Sequence, residues 1–494
     1  EGLFGLIGYN FCQQPNIVII LLTLSLVNHY IVPMTIWTPD IEPYGSPKYI
    51  AIVEALATDV RTGRLPSGNR LPPQRELADR LGVTVGTITR AYAEAEKRNL
   101  VTAHVGRGTF IRAEPGAPVA MAGPAGPYLI DLSVNRMPMD LDPELYANGL
   151  RNLAESGSLL NRWVDYQNIA GMAAHREVAA KFIAGFGVPV QPDDVLITAG
   201  AQHAMAVAML GLTEPGDTVL TGHLSYPGIV SLAQVMGRHL EGVALDEEGL
   251  LPDALDAACR AYRPRVLYCL PNLQNPTTGT MSLARRQAIV EVARKHDLLL
   301  LEDDLYGYLL PDAPLPLTHL APERGYYITG VSKFLGAGLR VGFLRTPPGQ
   351  SDRFVPALRS TLWSNSPVMV ELVSRWLQDG TANRVAGLQR REAQVRQSLA
   401  MEVLEGLPMQ TNANSCHLWL HLPPPWRGDD LVLQAKMRGV ALNGPQPFVA
   451  GRGPTPDAVR VSLGAAQPRE RLEAGLQIVA DLLHAGPQAA PPIV

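Results

Sequence analysis

The chain has 494 residues, too many for one ordinary hydrophobic core, so two or more domains are expected. With 46% hydrophobic and 18% charged residues it reads as globular, neither disordered nor fibrous. The net charge of −4 argues against a coat for nucleic acid along the whole chain, and four scattered cysteines (Cys12, Cys259, Cys269, Cys416) with no CxxC pair argue against a disulfide framework or metal site and for a reducing cytoplasm.

Residues 1–45 form an atypical apolar N-terminal extension. No Lys or Arg precedes Lys48, and Ile17–Val27 is apolar except for Thr23 and Ser25. That run is shorter than the roughly 20 residues a membrane-spanning helix needs. A secretory signal would begin with positive charge. Met34 stands just ahead of the first recognisable helix, so residues 1–33 read as upstream sequence from a mis-assigned start. A membrane-associating extension is the alternative.

The next segment, 46–112, carries eleven Lys/Arg against six Asp/Glu, which makes it +5 and leaves −9 for the remainder. A small basic module on an acidic body points to a polyanion partner for the module alone. Pro47–Gly63 predicts an amphipathic helix, with Ile50, Val53, Leu56, Ala57 and Val60 at helical spacing. Pro73–Leu81 predicts a second helix stopped by Gly82, and Thr84 is the expected N-cap of a third over Val85–Arg98. Two helices joined by a tight turn make a helix-turn-helix, whose second helix can enter the major groove. Thr84, Thr87, Thr89 and Arg90 lie on its expected exposed face, with Ile88, Tyr92 and Leu81 inward. Leu100–Ala103 and Thr109–Ile111 predict a hairpin whose Gly-rich tip offers Arg107 to a phosphate or the minor groove. The Pro/Gly/Ala-rich stretch 113–127 is the expected linker.

From 128 to 485 apolar runs alternate with helical stretches: Val195–Thr198, Thr218–Leu220, Val266–Leu270 and Leu298–Leu301. Runs of this kind predict strands buried on both faces of a mainly parallel α/β sheet. Chemistry-bearing residues follow the strand ends, where open α/β sheets bind ligands. Thr198–Ala204, with Gly200, Ala201 and Gln202, offers backbone N–H groups at a helix start to an anion. Tyr226 can stack on a flat ring; Asn275, before Pro276, can donate to a phenolate oxygen that Tyr306 can also reach. Asp303 can pair with a protonated ring nitrogen. Lys333 and Arg340 lie seven residues apart among glycines. An amine can condense with an aldehyde and a guanidinium can grip a phosphate, and pyridoxal 5'-phosphate carries both groups. Arg460, inside the strand-like Ala458–Leu463, suits a carboxylate. Residues 486–494 form a tail.

Leu71–Ala78, Thr87–Tyr92 and Gly106–Phe110 resemble the winged helix-turn-helix of GntR-type transcription regulators. The motifs of 128–485, together with Tyr166…Gly171…Arg176 and Glu214–Asp217, resemble fold-type I pyridoxal-phosphate aminotransferases. The two in this order resemble the MocR class of regulators. The resemblance implies an α/β chain: an N-terminal winged helix-turn-helix, a linker, and an aminotransferase-like domain with a mainly parallel central sheet. It implies Lys333 as the residue joined covalently to the cofactor, Asp303 at the ring nitrogen, Asn275 and Tyr306 at the ring oxygen, and Tyr226 stacked on the ring. Arg340 with Gly200, Ala201 and Gln202 would hold the phosphate, and Arg460 the carboxylate of an amino-acid effector. Arg75, Thr84, Thr87, Thr89, Arg90 and Arg107 would face a double-stranded operator, in a cytoplasmic homodimer with no metal and no membrane partner. Ala201 and Gly330 stand where many relatives carry hydroxyls, an expected loss of about 1–3 kcal/mol in phosphate binding. Two other readings stay open: a working aminotransferase with a secondary DNA-binding module, and a DNA-binding protein whose large domain is a scaffold without cofactor.

Overall fold

The computed structural model describes residues 37–487 apart from 46, 62–63, 66–68, 99, 105–107, 112–128, 137, 139–141, 158–162, 164 and 452. The expectations for residues 1–33, for the linker and for Arg107 therefore lie outside the described residues. Two compact units divide the chain between Pro115 and Gly116.

The first unit is built on α1 (Lys48–Arg61), α2 (Gln74–Leu81) and α3 (Val85–Lys97), followed by the antiparallel hairpin of β1 (Val101–His104) and β2 (Gly108–Ile111). Gly82 ends α2 in the left-handed region (φ 60°), returning its N–H to the carbonyls of Ala78 and Asp79. Thr84 then caps α3 by accepting from the Thr87 N–H. Leu71 N–H donates to Thr109 O and Ile111 N–H to Asn69 O, both at 2.8 Å, so the segment before α2 lines the wing's other edge. The buried face of α1 is wider than the one expected: Ile52, Ala55 and Asp59 are buried, whereas Ile50, Ala57 and Val60 are half-buried. Trp37 accounts for the burial of Asp59 on this face. It packs into this core, ahead of the expected boundary at 46, and its Nε1 donates to the Asp59 carboxylate at 2.9 Å.

The second unit holds β4 (Val195–Thr198), β5 (Thr218–Gly222), β6 (His239–Val243), β7 (Val266–Cys269), β8 (Leu299–Asp303), β9 (Gly325–Gly330) and β10 (Gly342–Arg345) in one seven-stranded sheet. The order is β4-β10-β9-β8-β7-β5-β6, with β10 antiparallel to both neighbours and the remaining pairs parallel. Every residue of β4, β7, β9 and β10 is buried, as continuous apolar runs require. Strand β8 runs on through Glu302 and Asp303, beyond the apolar run that marked it. These carboxylates are tolerated there because each has donors; Glu302 accepts from Leu317 N–H, Thr318 N–H and Thr318 Oγ1 at 2.7–3.0 Å.

A short parallel pair joins β3 (Ile130–Asp131) to β13 (Val440–Ala441), and a three-stranded antiparallel sheet is formed by β11 (Met409–Gln410), β12 (His417–His421) and β14 (Ala458–Ser462). No described helix is long and apolar enough to cross a membrane. Cys259, Cys269 and Cys416 are free and buried.

Candidate functional site

The loop between β9 and β10 carries Lys333 and Arg340, and the end of β8 carries Asp303 beside it. Asp303 is buried; burial and the nearby Asp304 push its carboxyl up to about 6, against the opposing effect of a 2.8 Å hydrogen bond from the Tyr268 hydroxyl and of Lys333. Asp304 points elsewhere, accepting from Asn272 Nδ2 at 2.9 Å and the Tyr327 hydroxyl at 2.5 Å. Of the acidic triplet 302–304, Asp303 is the one on which Lys333 acts as a charge, while Glu302 and Asp304 are engaged by Thr318, Asn272 and Tyr327. Burial, reinforced by Arg460, pushes the Lys333 amine down to about 8, which enlarges its neutral, nucleophilic fraction near neutral pH. Its Nζ donates to the carbonyl of Asn135.

Arg460 enters from β14. Its Nη1 donates to Asn275 Oδ1 at 3.0 Å and its Nη2 to Ser133 O at 2.6 Å, while its buried Nε has no partner. Burial lowers its pKa to about 10, so it stays a cation at neutral pH. The bond to Asn275 fixes that amide with its oxygen on Arg460 and its Nδ2 donor turned away. The Tyr306 hydroxyl accepts from Asn135 Nδ2 at 2.9 Å, which leaves its own proton to be donated. Burial raises the Tyr306 pKa, so it stays protonated. Tyr226 is half-buried and feels Asp303, Arg460 and Arg340 together, which puts its ring among the same charges.

A second cluster surrounds the start of α4 (Ala201–Leu212). Gly200 precedes it at φ 84°, a conformation L side chains rarely adopt, and no side chain caps the helix. Arg340, itself at φ 53°, bonds Ala199 O at 2.8 Å, and a Cβ on Gly200 would stand 3.0 Å from its Nη2. Strand β10 comes equally close: a Cβ on Gly342 would lie 2.5 Å from Gly200 C and 2.8 Å from Ala201 N. Glycines here set a guanidinium against the open N–H groups of a helix start, an arrangement that suits a phosphate. Gln202 reaches toward Tyr226 through a 3.4 Å bond to Gly228 O.

Several residues that sequence reasoning missed complete the site. Tyr268 is the donor to Asp303. His417, on β12, is buried and pushed down to about 3 by burial, hence neutral; its Nδ1 takes the Asn135 amide at 3.0 Å, so its Nε2 carries the proton toward Gln274 O. Cys416 is buried beside Lys333, with its thiol pushed up to about 12 by burial. Ser133 and Asn135 come from a stretch with no motif. A separate open cleft of about 730 Å³, lined by Gln167, Arg176, Asp193, Ser351 and Asp352 among others, shares none of these residues.

In the first unit, Thr84 and Thr87 hydroxyls pair at 2.9 Å at the start of α3. Thr89 Oγ1 donates to Gln74 Oε1 at 2.7 Å, tying α3 to α2 and leaving the Gln74 amide as the free end. Arg90 is exposed and stacks over the Tyr49 ring at 4.6 Å, and Arg75 is exposed on α2. Val85 is 42% exposed on the first turn of α3, an apolar group sequence reasoning did not single out.

These two units have counterparts among known proteins. Residues 127–479 match the family model of aminotransferase class I and II, and residues 48–111 that of bacterial regulatory proteins of the gntR family. The fold of the second unit is that of a fold-type I aminotransferase. LysN, an α-aminoadipate aminotransferase of Thermus thermophilus solved with N-(5'-phosphopyridoxyl)-L-leucine, superposes with a TM-score of 0.66 at 25% identity over 73% of this chain and 93% of its own. A kynurenine aminotransferase of Pyrococcus horikoshii gives a TM-score of 0.67 at 22% identity over 73% and 92%. Over nearly the full length, the chain is 30% identical to the uncharacterised HTH-type transcriptional regulator YdeF of Bacillus subtilis, covering 91% of this chain and 97% of the relative. The chain belongs to the MocR-type subfamily of GntR regulators, in which a winged helix-turn-helix is fused to an aminotransferase-like domain.

Proposed function

We propose that the chain is a cytoplasmic transcription regulator that binds operator DNA through segment 46–112 and senses pyridoxal phosphate, an amino acid, or both, through 128–485, with 113–127 as linker and 486–494 as tail. The observation that carries this reading is the convergence of Lys333, Asp303 and Arg460 in a chain that also holds a winged helix-turn-helix. The residues present fit the cofactor. Arg340 and the N–H groups after Gly200 suit its phosphate, the Asp303 carboxylate its ring nitrogen, and Asn275 Nδ2 with the Tyr306 hydroxyl its ring oxygen. Tyr226 stacks on the ring. The buried, unpartnered Arg460 Nε and Asn135 Oδ1 are polar atoms that a polar ligand would satisfy.

When bound, pyridoxal phosphate supplies an aldehyde for amines and a ring that takes up electrons. Asp303 would hold the ring nitrogen protonated, and Lys333 would offer its neutral amine to the aldehyde. Arg460 binds the α-carboxylate of the effector and orients it. In a homodimer, a ligand with different affinity for two arrangements of the chains shifts their balance, and with it the spacing of two DNA-binding units on two half-sites. Thr84, Thr87, Thr89 and Arg90 are assigned to the major groove, and Arg75 and Arg107 to phosphates or the minor groove.

The test combines absorbance and DNA binding. Purified protein should gain a cofactor band with pyridoxal phosphate that Lys333→Ala lacks. It should bind DNA upstream of its own or neighbouring genes with an affinity that changes with cofactor or amino acid. Sequence-blind, salt-sensitive binding with a normal cofactor band would instead favour the second reading, a working aminotransferase. That reading draws support from the complete set Lys333, Asp303, Asn275, Tyr306 and Arg460, and from the 29% identity to a 2-aminoadipate transaminase of Thermus thermophilus over 61% of this chain.

A further inference from the structure

Two of the groups assigned to the ligand are held by the chain's own backbone. The stretch Asp131–Asn135 leaves β3 and runs into the site. Ser133 O accepts from Arg460 Nη2 at 2.6 Å, and also from Asn443 Nδ2 at 2.7 Å and Ser462 Oγ at 3.3 Å. Two residues on, Asn135 O accepts from Lys333 Nζ, and its side-chain amide spans Tyr306 and His417. Asp131 sets this geometry. Its Oδ1 accepts from Ser133 N–H at 2.8 Å, Ser133 Oγ at 2.7 Å and Val134 N–H at 3.1 Å, an Asx turn that aims the Ser133 carbonyl.

A carbonyl oxygen on a guanidinium reproduces in backbone the contact that an amino acid's carboxylate would seek. A carboxylate is the same kind of acceptor with a full charge, and binds a guanidinium best through two parallel bonds. Nη1 of Arg460 is on Asn275 and Nη2 is on Ser133, so the unpartnered Nε with Nη2 is the edge left for a two-bond grip. Nη2 carries a second N–H, so a carboxylate on this edge sets its oxygen beside the Ser133 carbonyl oxygen on the same nitrogen, and the two acceptors compete for it.

We propose that Asp131–Asn135 is a tethered pseudo-ligand: a strap whose Ser133 carbonyl competes with the carboxylate of the amino-acid effector for Arg460, with Asp131 as the positioning residue that sets its strength. The inference rests on the reading of this site as the effector site and names how it is regulated. Effector binding expels the strap.

The test uses the full chain loaded with pyridoxal phosphate and L-alanine as probe, with binding followed by the change in cofactor absorbance. Asp131→Ala removes the turn's acceptor and should lower the alanine Kd about tenfold, the effect of losing net hydrogen bonds worth about 1.4 kcal/mol together. Asp131→Asn keeps an acceptor oxygen but loses the charge that acts on Arg460, so it should tighten alanine binding less than Asp131→Ala, and the difference between the two reports the turn. In the parent, hydrogen exchange at the Ser133 and Val134 amides should quicken when alanine saturates the site, a readout that does not depend on either variant folding well. Alanine binding no tighter in Asp131→Ala than in Asp131→Asn, or unchanged exchange at these amides while the cofactor band shifts normally, overturns the strap alone. A parent that forms no cofactor band overturns the site reading and the strap with it.

Discussion

Lys333 is held at the expense of stability. Its amine falls from 10.5 to about 8 in the folded chain because burial disfavours the cation. Between those values the folded state binds fewer protons than the unfolded state, so stability rises with pH across that window. The penalty is fully present below pH 8 and vanishes above 10.5. Lys333→Met, of similar reach and uncharged, should therefore stabilise the cofactor-free chain at pH 7 by about 3 kcal/mol, shrinking toward zero by pH 10. Denaturant unfolding of both forms across that range measures it, and a pH-independent difference would contradict the argument. Asp303 shifts in the opposite sense. Its carboxyl rises from 3.8 to about 6, so the folded state holds the extra proton between those values and the penalty is complete above pH 6. Because the ionised form is the one that pairs with a ring nitrogen, cofactor affinity should fall as pH drops below 6. Tyr268→Phe removes the donor that opposes this shift, and the midpoint of cofactor Kd against pH should move upward. Lys333, Asp303, Arg340 and Arg460 were legible because each sits in a local signature of glycines, apolar strand and charge. Tyr268, Asn135 and His417 were not, since each acts through a partner far along the chain: Tyr268 through Asp303, Asn135 through Tyr306 and His417.

At the scale of elements, capping and close backbone approach decide what the sequence reveals. The second and third helices of the first unit were legible because Gly82 and Thr84 mark the turn between them by mechanisms local to a few residues. Thr84→Ala should cost that unit about 1 kcal/mol, through loss of the bond to Thr87 N–H. Thermal unfolding followed at a probe within residues 37–111 is the measurement, and no loss would mean that the neighbouring hydroxyl of Thr87 takes over. The widened face of α1 was hidden because Trp37 comes from outside any periodic pattern. In the second unit, the contact of β10 with the start of α4 depends on Gly342, where a Cβ would meet Gly200 C at 2.5 Å. Gly342→Ala has to push two backbones apart and should destabilise by about 1–3 kcal/mol. It should also weaken cofactor binding, because the N–H groups after Gly200 shift with it. Gly338→Ala, with nothing within 4 Å of its added Cβ, is the matched control and should leave both unchanged. Equal effects of the two substitutions would refute the packing argument.

For the whole molecule the decisive quantity is where the charge sits. A net −4 conceals a +5 segment at 46–112 against −9 elsewhere, so DNA is drawn to one part of the chain and repelled by the rest. Association should therefore be strongly salt-dependent despite the acidic total, because each phosphate neutralised releases counterions and contributes about −0.9 to the slope of log K against log salt. Arg75 is exposed on α2 and makes no carboxylate bond among the described residues, whereas Arg98 is engaged by Glu54 and Glu94 and Arg80 by Glu76. Arg75→Ala should weaken operator and unrelated DNA alike and make the salt slope less steep by about 1 for each chain bound. Arg98→Ala should leave the slope unchanged, since that guanidinium is already committed to two carboxylates. Val85 predicts a different signature. If α3 enters the major groove as proposed, an exposed apolar group on its first turn would touch thymine methyls, so Val85→Ala should alter the preference for thymine over uracil in the operator without moving the salt slope. Binding isotherms over a salt series, on operator made with thymine and with uracil, separate the two effects: a slope that changes with Val85 but not with Arg75 would reverse the assignment of charge and methyl contacts to these two helices.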